Sequence, residues 1–255
     1  MTHITIEIGG KCTSWADLES LSTHCRKAGI SLHMDGARLW EATGALGESL
    51  VTQSAGTQGS TRESLCQLFD SLYVSFYKGL GGVTGAMLVG SHSFIEEARI
   101  WNRRFGGNVY SLFPLAVSCW AGFKDNKDTF KTKKERLQEI VKLLSDTFID
   151  QSKRPRECCD SAGNPLVRFD PPVPQVSMIH VYVRCDAGTA MKVREEVLAA
   201  TGVSCFTRIR PAPHTVYTES YFEMNLVCIY FVFICYYFYH HCTNSFEIIR
   251  SLFTY

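Results

Sequence analysis

The 255-residue chain has a formal net charge of +1, with 45% hydrophobic and 20% charged residues, a balance that allows a buried core and excludes a disordered chain or a charge-driven nucleic-acid binder. The basic run from Lys124 to Arg136 is interleaved with Asp125, Asp128 and Glu135, and reads as a solvated helix face. Eleven cysteines without a CxxC pair, behind an opening MTHITIEIGGK with neither a basic n-region nor an apolar run, set the expectation of cytosolic thiols and no structural zinc site.

In chain order, Ser14 followed by Asp17 resembles a capping box, and Trp15 to Ala28 has helical spacing through Leu18, Leu21, Cys25 and Ala28, with Gly29 as its stop. Ile30 to Asp35 reads as a strand, and Gly36 turns the chain into a second helix carrying Leu39, Trp40 and Ala42. The Gly-, Ser- and Thr-rich stretch 44–62 reads as loop, with room for one turn of helix. A strand over Leu72 to Phe76, a glycine-rich turn and a strand over Ala86 to Val89 follow. From Ser93 the spacing predicts a helix with Phe94, Ala98, Trp101 and Phe105 on one face, stopped by Gly106-Gly107. Another helix follows Pro114, and a long amphipathic one runs from about Asp128 to Ile149. Strands and helices in alternation suggest an α/β layer architecture.

The polar, Cys-rich stretch Gln151 to Asp160 marks a domain boundary, giving a large domain over 1–150 and a small α+β domain over 151–227. Strands at Val176 to Val183, Val203 to Ile209 and Tyr221 to Val227 around a helix at Thr189 to Ala200 suggest a βαβ-type unit. The remaining 228–255 form an atypical hydrophobic tail, and 224–246 hold no Asp, Glu, Lys or Arg. Three readings stay open for it: a membrane anchor through 224–246, which lacks the usual flanking basic residues, a buried or aggregating β segment, or a non-native end. Cys228, Cys235 and Cys242 recur beside His240 and His241, and read as coincidence in a biased tract before they read as a metal site.

Two segments carry chemistry. LHMDGARLWEA (Leu32 to Ala42) and VSFYKGLGG (Val74 to Gly82) each run a β-like segment into a turn with one charged residue, Asp35 in the first and Lys78 in the second. An acid and an amine at neighbouring strand ends suit pyridoxal phosphate, whose pyridine nitrogen a carboxylate keeps protonated and whose aldehyde forms a Schiff base with an amine. Arg38, on the same side of the helical turn as Asp35, can reach the ring oxygen or a substrate carboxylate. Taken singly, an Asp before Gly-Ala-Arg is also a helix N-cap, and Lys78 a surface lysine. Gly79, Gly81, Gly82 and Gly85 do not have the GxGxxG spacing of a dinucleotide loop.

With these motifs in this order the chain resembles the threonine aldolase and aromatic amino acid β-eliminating lyase family of fold type I pyridoxal phosphate enzymes. HMDGARLWEA is similar to that family's HxDGARLxNA segment, SFYKGLGG to its SxSKGLG segment, and ARIWNRRFGGNVYSLFP to the Arg-rich helix and GG turn that follow. The resemblance runs from about Thr5 to Val227. It implies part of a fold type I large domain, with a mixed, mostly parallel sheet and helices, plus the small domain. It also implies an amino-acid substrate cleaved by retro-aldol chemistry or β-elimination, and subunits that associate as a homo-oligomer. By the same resemblance Lys78 is the Schiff-base lysine, Asp35 the partner of the pyridine nitrogen, Arg38 a cofactor or substrate contact and Ser75 a phosphate-side contact. Arg208 or Arg210 holds the substrate carboxylate.

The departures are specific. Tyr77 stands where the family has Ser or Thr, and Asn108-Val109-Tyr110 replaces a GMR-like stretch. The family's Gly-Thr phosphate loop and ring-stacking His have no counterpart before Asp35. Two expectations follow: an amino-acid lyase, or a catalytically incompetent chain that serves at most as an interaction partner.

Overall fold

The computed structural model describes residues 2–3, 9–43, 61–150, 152, 159–160, 162–202, 204, 206–212 and 218–225. They fall into two compact units, Met1–Glu135 with Gln175–Ser177, and Arg136–Pro174 with Met178–Tyr255. The division lies at residue 135, not at the expected 150, because the helix that begins at Phe130 runs on to Phe148 and sends Leu137 and Val141 into the second unit's core.

In the first unit, strands β1 (Thr2–His3), β2 (His33–Asp35), β3 (Ser71–Ser75) and β4 (Ala86–Gly90) form one sheet in the order β1-β2-β3-β4. The first three are parallel and β4 is antiparallel to β3, the mixed, mostly parallel sheet that was expected. Alternation puts Met34, Leu72 and Val74 on a buried face. Helix α1 (Trp15–Lys27) begins where Ser14 accepts a hydrogen bond from the Asp17 amide, and it buries Trp15, Leu18, Ser22 and Cys25 at helical spacing. Residues 39–43 form the expected helical segment after Gly36, and α2 (Thr61–Cys66) leads into β3. Most of the loop expected over 44–62 lies outside the described residues. After β4, α3 (His92–Arg104) is capped by Ser91, α4 (Phe113–Asn126) carries Pro114 in its first turn, and α5 (Phe130–Phe148) ends the series.

The second unit is an antiparallel sheet of β5 (Val167–Asp170), β6 (Met178–Val183), β7 (Arg210–Pro211) and β8 (Ser220–Asn225), in the order β5-β6-β8-β7. Helix α6 (Ala187–Thr201) connects β6 to the later strands, starting at an Asp186 cap and ending at Gly202. Leu137, Val141, Phe169, Ile179, Val181, Val197, Phe222 and Met224 make its core. Two expectations are corrected here. The unit is not of βαβ type, since β6 and β8 pair antiparallel, and no strand occupies the described part of Val203 to Ile209. Among the described residues no helix is long and apolar enough to cross a membrane, and no cluster of three or more His, Cys, Asp or Glu could hold a metal. The tail, with its cysteines and histidines, lies outside them.

Candidate active site

Strands β2 and β3 are parallel neighbours, so the chain leaves both at the same end of the sheet. Open α/β sheets place their ligands beyond such carboxyl ends. Asp35 is the last residue of β2, opposite Tyr73 of β3, and the Gly36 amide donates to the Tyr73 carbonyl at 2.8 Å. Lys78 comes just past the end of β3, beyond Phe76 and Tyr77. The Tyr73 and Tyr77 hydroxyls are 3.2 Å apart, and the Lys78 Nζ lies 5.9 Å from the Tyr77 ring centre. Burial, the hydroxyl bond and negative charge of Tyr77, and the charge of Asp35 push the Tyr73 phenol up from its ordinary range. Asp35, Tyr73, Tyr77 and Lys78 therefore form a row of neighbours along one end of the sheet.

The Asp35 Oδ1 accepts the Ala37 amide at 3.1 Å, an Asx-type turn that fixes the chain's path into residues 39–43. Ser75 is buried, and its hydroxyl donates to the Ala37 carbonyl at 2.6 Å, joining the exit of β3 to that of β2. A phosphate oxygen needs a donor, so a phosphate contact there requires the Ser75 proton to leave Ala37.

Arg38 is buried and its Nη1 donates to the Glu41 carboxylate at 2.7 Å. Glu41 is a residue that the sequence reading passed over and that the structure places between the Asp35 and Lys78 turns. Only 1% exposed, it also accepts the Gly79 amide on Oε1 at 3.1 Å and the Ser177 hydroxyl on Oε2 at 3.0 Å. Its charge reaches Lys133, whose amine burial lowers and Glu41 partly restores. A buried carboxylate persists only with such compensation. One carboxylate thus ties the Asp35 turn, the Lys78 turn and residues 175–177 together. The signal for it was present in the helical spacing of Arg38 and Glu41, but only one of these three partners is local.

The Lys78 turn is fixed on its other side too. Gly81 donates to the Lys78 carbonyl at 2.9 Å, Gly82 to Phe76 at 2.7 Å, and the Asn126 side-chain amide to Leu80 at 3.2 Å. Glycine is required at Gly79, where a Cβ would stand 2.3 Å from the Glu41 Oε1, and at Gly122 of α4, where it would stand 2.4 Å from the Leu80 carbonyl. Trp40 packs edge-on to Phe123 of α4 at 5.1 Å, under Arg62 at 4.5 Å.

Arg208 and Arg210 belong to the second unit, where both line one cavity of about 420 Å³ with Thr207, Tyr221, Phe222 and Glu223. Both are exposed, and that shared cavity does not choose between them.

The beta-eliminating lyase family profile matches residues 1–157. Low-specificity L-threonine aldolase 1 of Arabidopsis thaliana is 32% identical over 118 residues, 46% of this chain and 30% of that protein. Aldolase vrtJ of Penicillium aethiopicum is 38% identical over 106 residues, 42% of this chain and 24% of that protein. A solved Listeria monocytogenes structure, assigned as an L-allo-threonine aldolase, superposes with a TM-score of 0.67 at 32% identity, covering 88% of this chain and 54% of that one. The chain thus spans about half the length of that solved relative. The fold is that of fold type I pyridoxal phosphate enzymes, and the chain belongs to the beta-eliminating lyase family.

Proposed function

We propose that the chain serves a pyridoxal phosphate-dependent amino-acid lyase, cleaving a β-hydroxy amino acid by retro-aldol chemistry or catalysing β-elimination. The observation that carries this reading is Asp35 and Lys78 at the carboxyl ends of adjacent parallel strands, joined through Tyr73 and Tyr77. These residues fit the cofactor: a carboxylate already held by a backbone amide suits a protonated pyridine nitrogen, and a half-buried amine in a fixed turn suits an aldehyde. When bound, pyridoxal phosphate supplies an electron sink for breaking a bond at the substrate Cα.

Each side chain has a stated part. Lys78 presents its amine for covalent attachment. Asp35 holds a proton on the ring nitrogen by opposite charge. Arg38, one edge of its guanidinium set by Glu41, contacts the ring oxygen or the substrate carboxylate. Ser75 braces the turn behind Asp35, its expected phosphate-side contact resting on release of the Ala37 carbonyl. Arg208 or Arg210 binds the substrate carboxylate. A small amino-acid substrate, association of like subunits and a cytosolic location belong to the same reading; Cys12, Cys25, Cys66, Cys119, Cys159 and Cys185 are free thiols, in keeping with the last. The alternative of a catalytically incompetent interaction partner is not favoured, since the relatives are named as aldolases.

The test is capture. The full chain is incubated with pyridoxal phosphate, reduced with borohydride and mapped by peptide mass spectrometry. A single adduct at Lys78, absent in Lys78→Ala and weakened in Asp35→Asn, supports the reading. Adducts spread over surface lysines, with Lys78 unlabelled, overturn it.

A further inference from the structure

Beside the Lys78 turn lies a buried negative charge. The Glu41 carboxylate, 1% exposed, accepts the amide of Gly79, the residue next to Lys78, at 3.1 Å, and it pairs with Arg38 at 2.7 Å. Its other oxygen accepts the Ser177 hydroxyl at 3.0 Å. In the similar segment HxDGARLxNA this position is Asn, so the charge is this chain's own addition. An amide oxygen would also serve Gly79 as an acceptor. What a carboxylate adds is negative potential, at a buried place where charges are poorly screened.

Charges of both signs surround that turn. Asp35 ends β2, Tyr73 and Tyr77 line the sheet side, and Arg38 and Glu41 come from the segment after Gly36. Helix α4 meets the turn through the uncharged Asn126, whose side-chain amide donates to Leu80. Lys133 of α5 reaches the same corner: its Nζ donates to the Asn126 Oδ1 at 2.7 Å, and the Glu41 charge acts on its amine. Glu41 therefore opposes two cations, Arg38 by direct contact and Lys133 through its field.

That balance bears on a proton. When an amine condenses with an aldehyde, water leaves and a C=N bond forms, whose nitrogen is either protonated or neutral. The protonated form is the electrophile. A substrate amine adds to its carbon, one proton of that amine passes to the lysine nitrogen, and the bond to the lysine breaks. The products are the free lysine amine and a new protonated C=N bond. Negative potential nearby keeps the proton on, and positive potential drives it off.

We infer that Glu41 is a positioning residue that holds the Lys78 turn and, by offsetting the charge of Arg38, keeps a Lys78 Schiff base protonated at neutral pH. This role needs an aldehyde on Lys78 and so rests on the lyase reading.

The full chain is loaded with pyridoxal phosphate, its adduct is located by borohydride reduction and peptide mapping, and the Schiff-base absorbance is titrated with pH. Glu41→Gln keeps the shape and an acceptor but removes the charge, and the midpoint falls by about one pH unit. Lys133→Gln removes a cation from the same corner, and the midpoint rises by about half a unit. Loosening of the turn would not give neighbouring variants opposite signs. Lys133 is half-buried and outside the proposed machinery, so its variant carries the test if Glu41→Gln does not fold. In either variant that folds, a midpoint that stays put or moves against the stated sign, with the adduct still on Lys78, overturns the inference and leaves the lyase reading intact. A wild-type chain with no adduct on Lys78 overturns both.

Discussion

Residues 33–82 and 83–120 are consecutive in one unit and differ in how they are held. In the first stretch each turn has several independent anchors: Asp35 on the Ala37 amide, Ser75 on the Ala37 carbonyl, and Glu41 on Arg38, Gly79 and Ser177. In the second, β4 is exposed over four of its five residues and α3 buries none. The first stretch is fixed from within the chain, as a site that must hold an amine and a carboxylate in register requires. The second is exposed apolar surface, held by few contacts from within the described residues.

The sharpest way to break this comparison is to remove Glu41. Its carboxylate is 1% exposed and accepts three donors, so Glu41→Ala removes the carboxylate paired with the buried Arg38 and frees the Gly79 amide. Loss of one partner of a buried ion pair costs about 3–5 kcal/mol. Urea unfolding at neutral pH measures it, and Glu41→Gln, which keeps an acceptor for Gly79, should lose less. If Glu41→Ala unfolds at the wild-type midpoint, the turns do not depend on this carboxylate. Gly79→Ala comes next. Its added methyl would overlap the Glu41 carboxylate, held at 2.3 Å from the Cβ position. Overpacking of this kind costs about 1–3 kcal/mol. Aldehyde capture by Lys78 should slow as well, because the turn itself must shift.

The local features of this architecture were legible in the sequence. The Ser14 cap, the glycine stops and the Asp35 and Lys78 turns each rest on residues a few positions apart. What escaped was set by distant partners. Gly79 and Ser177 lie 38 and 136 positions from Glu41, so the sequence around Glu41 shows an ordinary helix residue. β5, with the sequence VRFD, alternates apolar and polar over only four residues, too short a run to read alone, and it exists because those four pair with Val183 back to His180. Val203 to Ile209 carries β-branched residues, yet the ladder to β8 is made by Arg210 and Pro211. Propensity yields to whichever backbone finds a partner.

Ser75→Ala has a smaller effect and separates two roles. It removes a 2.6 Å hydrogen bond to the Ala37 carbonyl, for an expected loss of about 1 kcal/mol in urea unfolding. If Ser75 also serves the phosphate, capture of pyridoxal phosphate should fall relative to capture of pyridoxal, which lacks the phosphate. An unchanged ratio leaves Ser75 as a brace only.

The smallest effect belongs to the exposed helix. Ile100 is 53% exposed on α3, on the side away from the Phe94–Phe105 face. Alanine is the better helix former there, and little area is lost from any core, so Ile100→Ala should move the unfolding free energy by less than about 0.5 kcal/mol. A loss near that of Ser75→Ala would mean that α3 is packed in solution on the side the fold leaves open, and the contrast between an anchored stretch and an unpartnered one would fail at its centre.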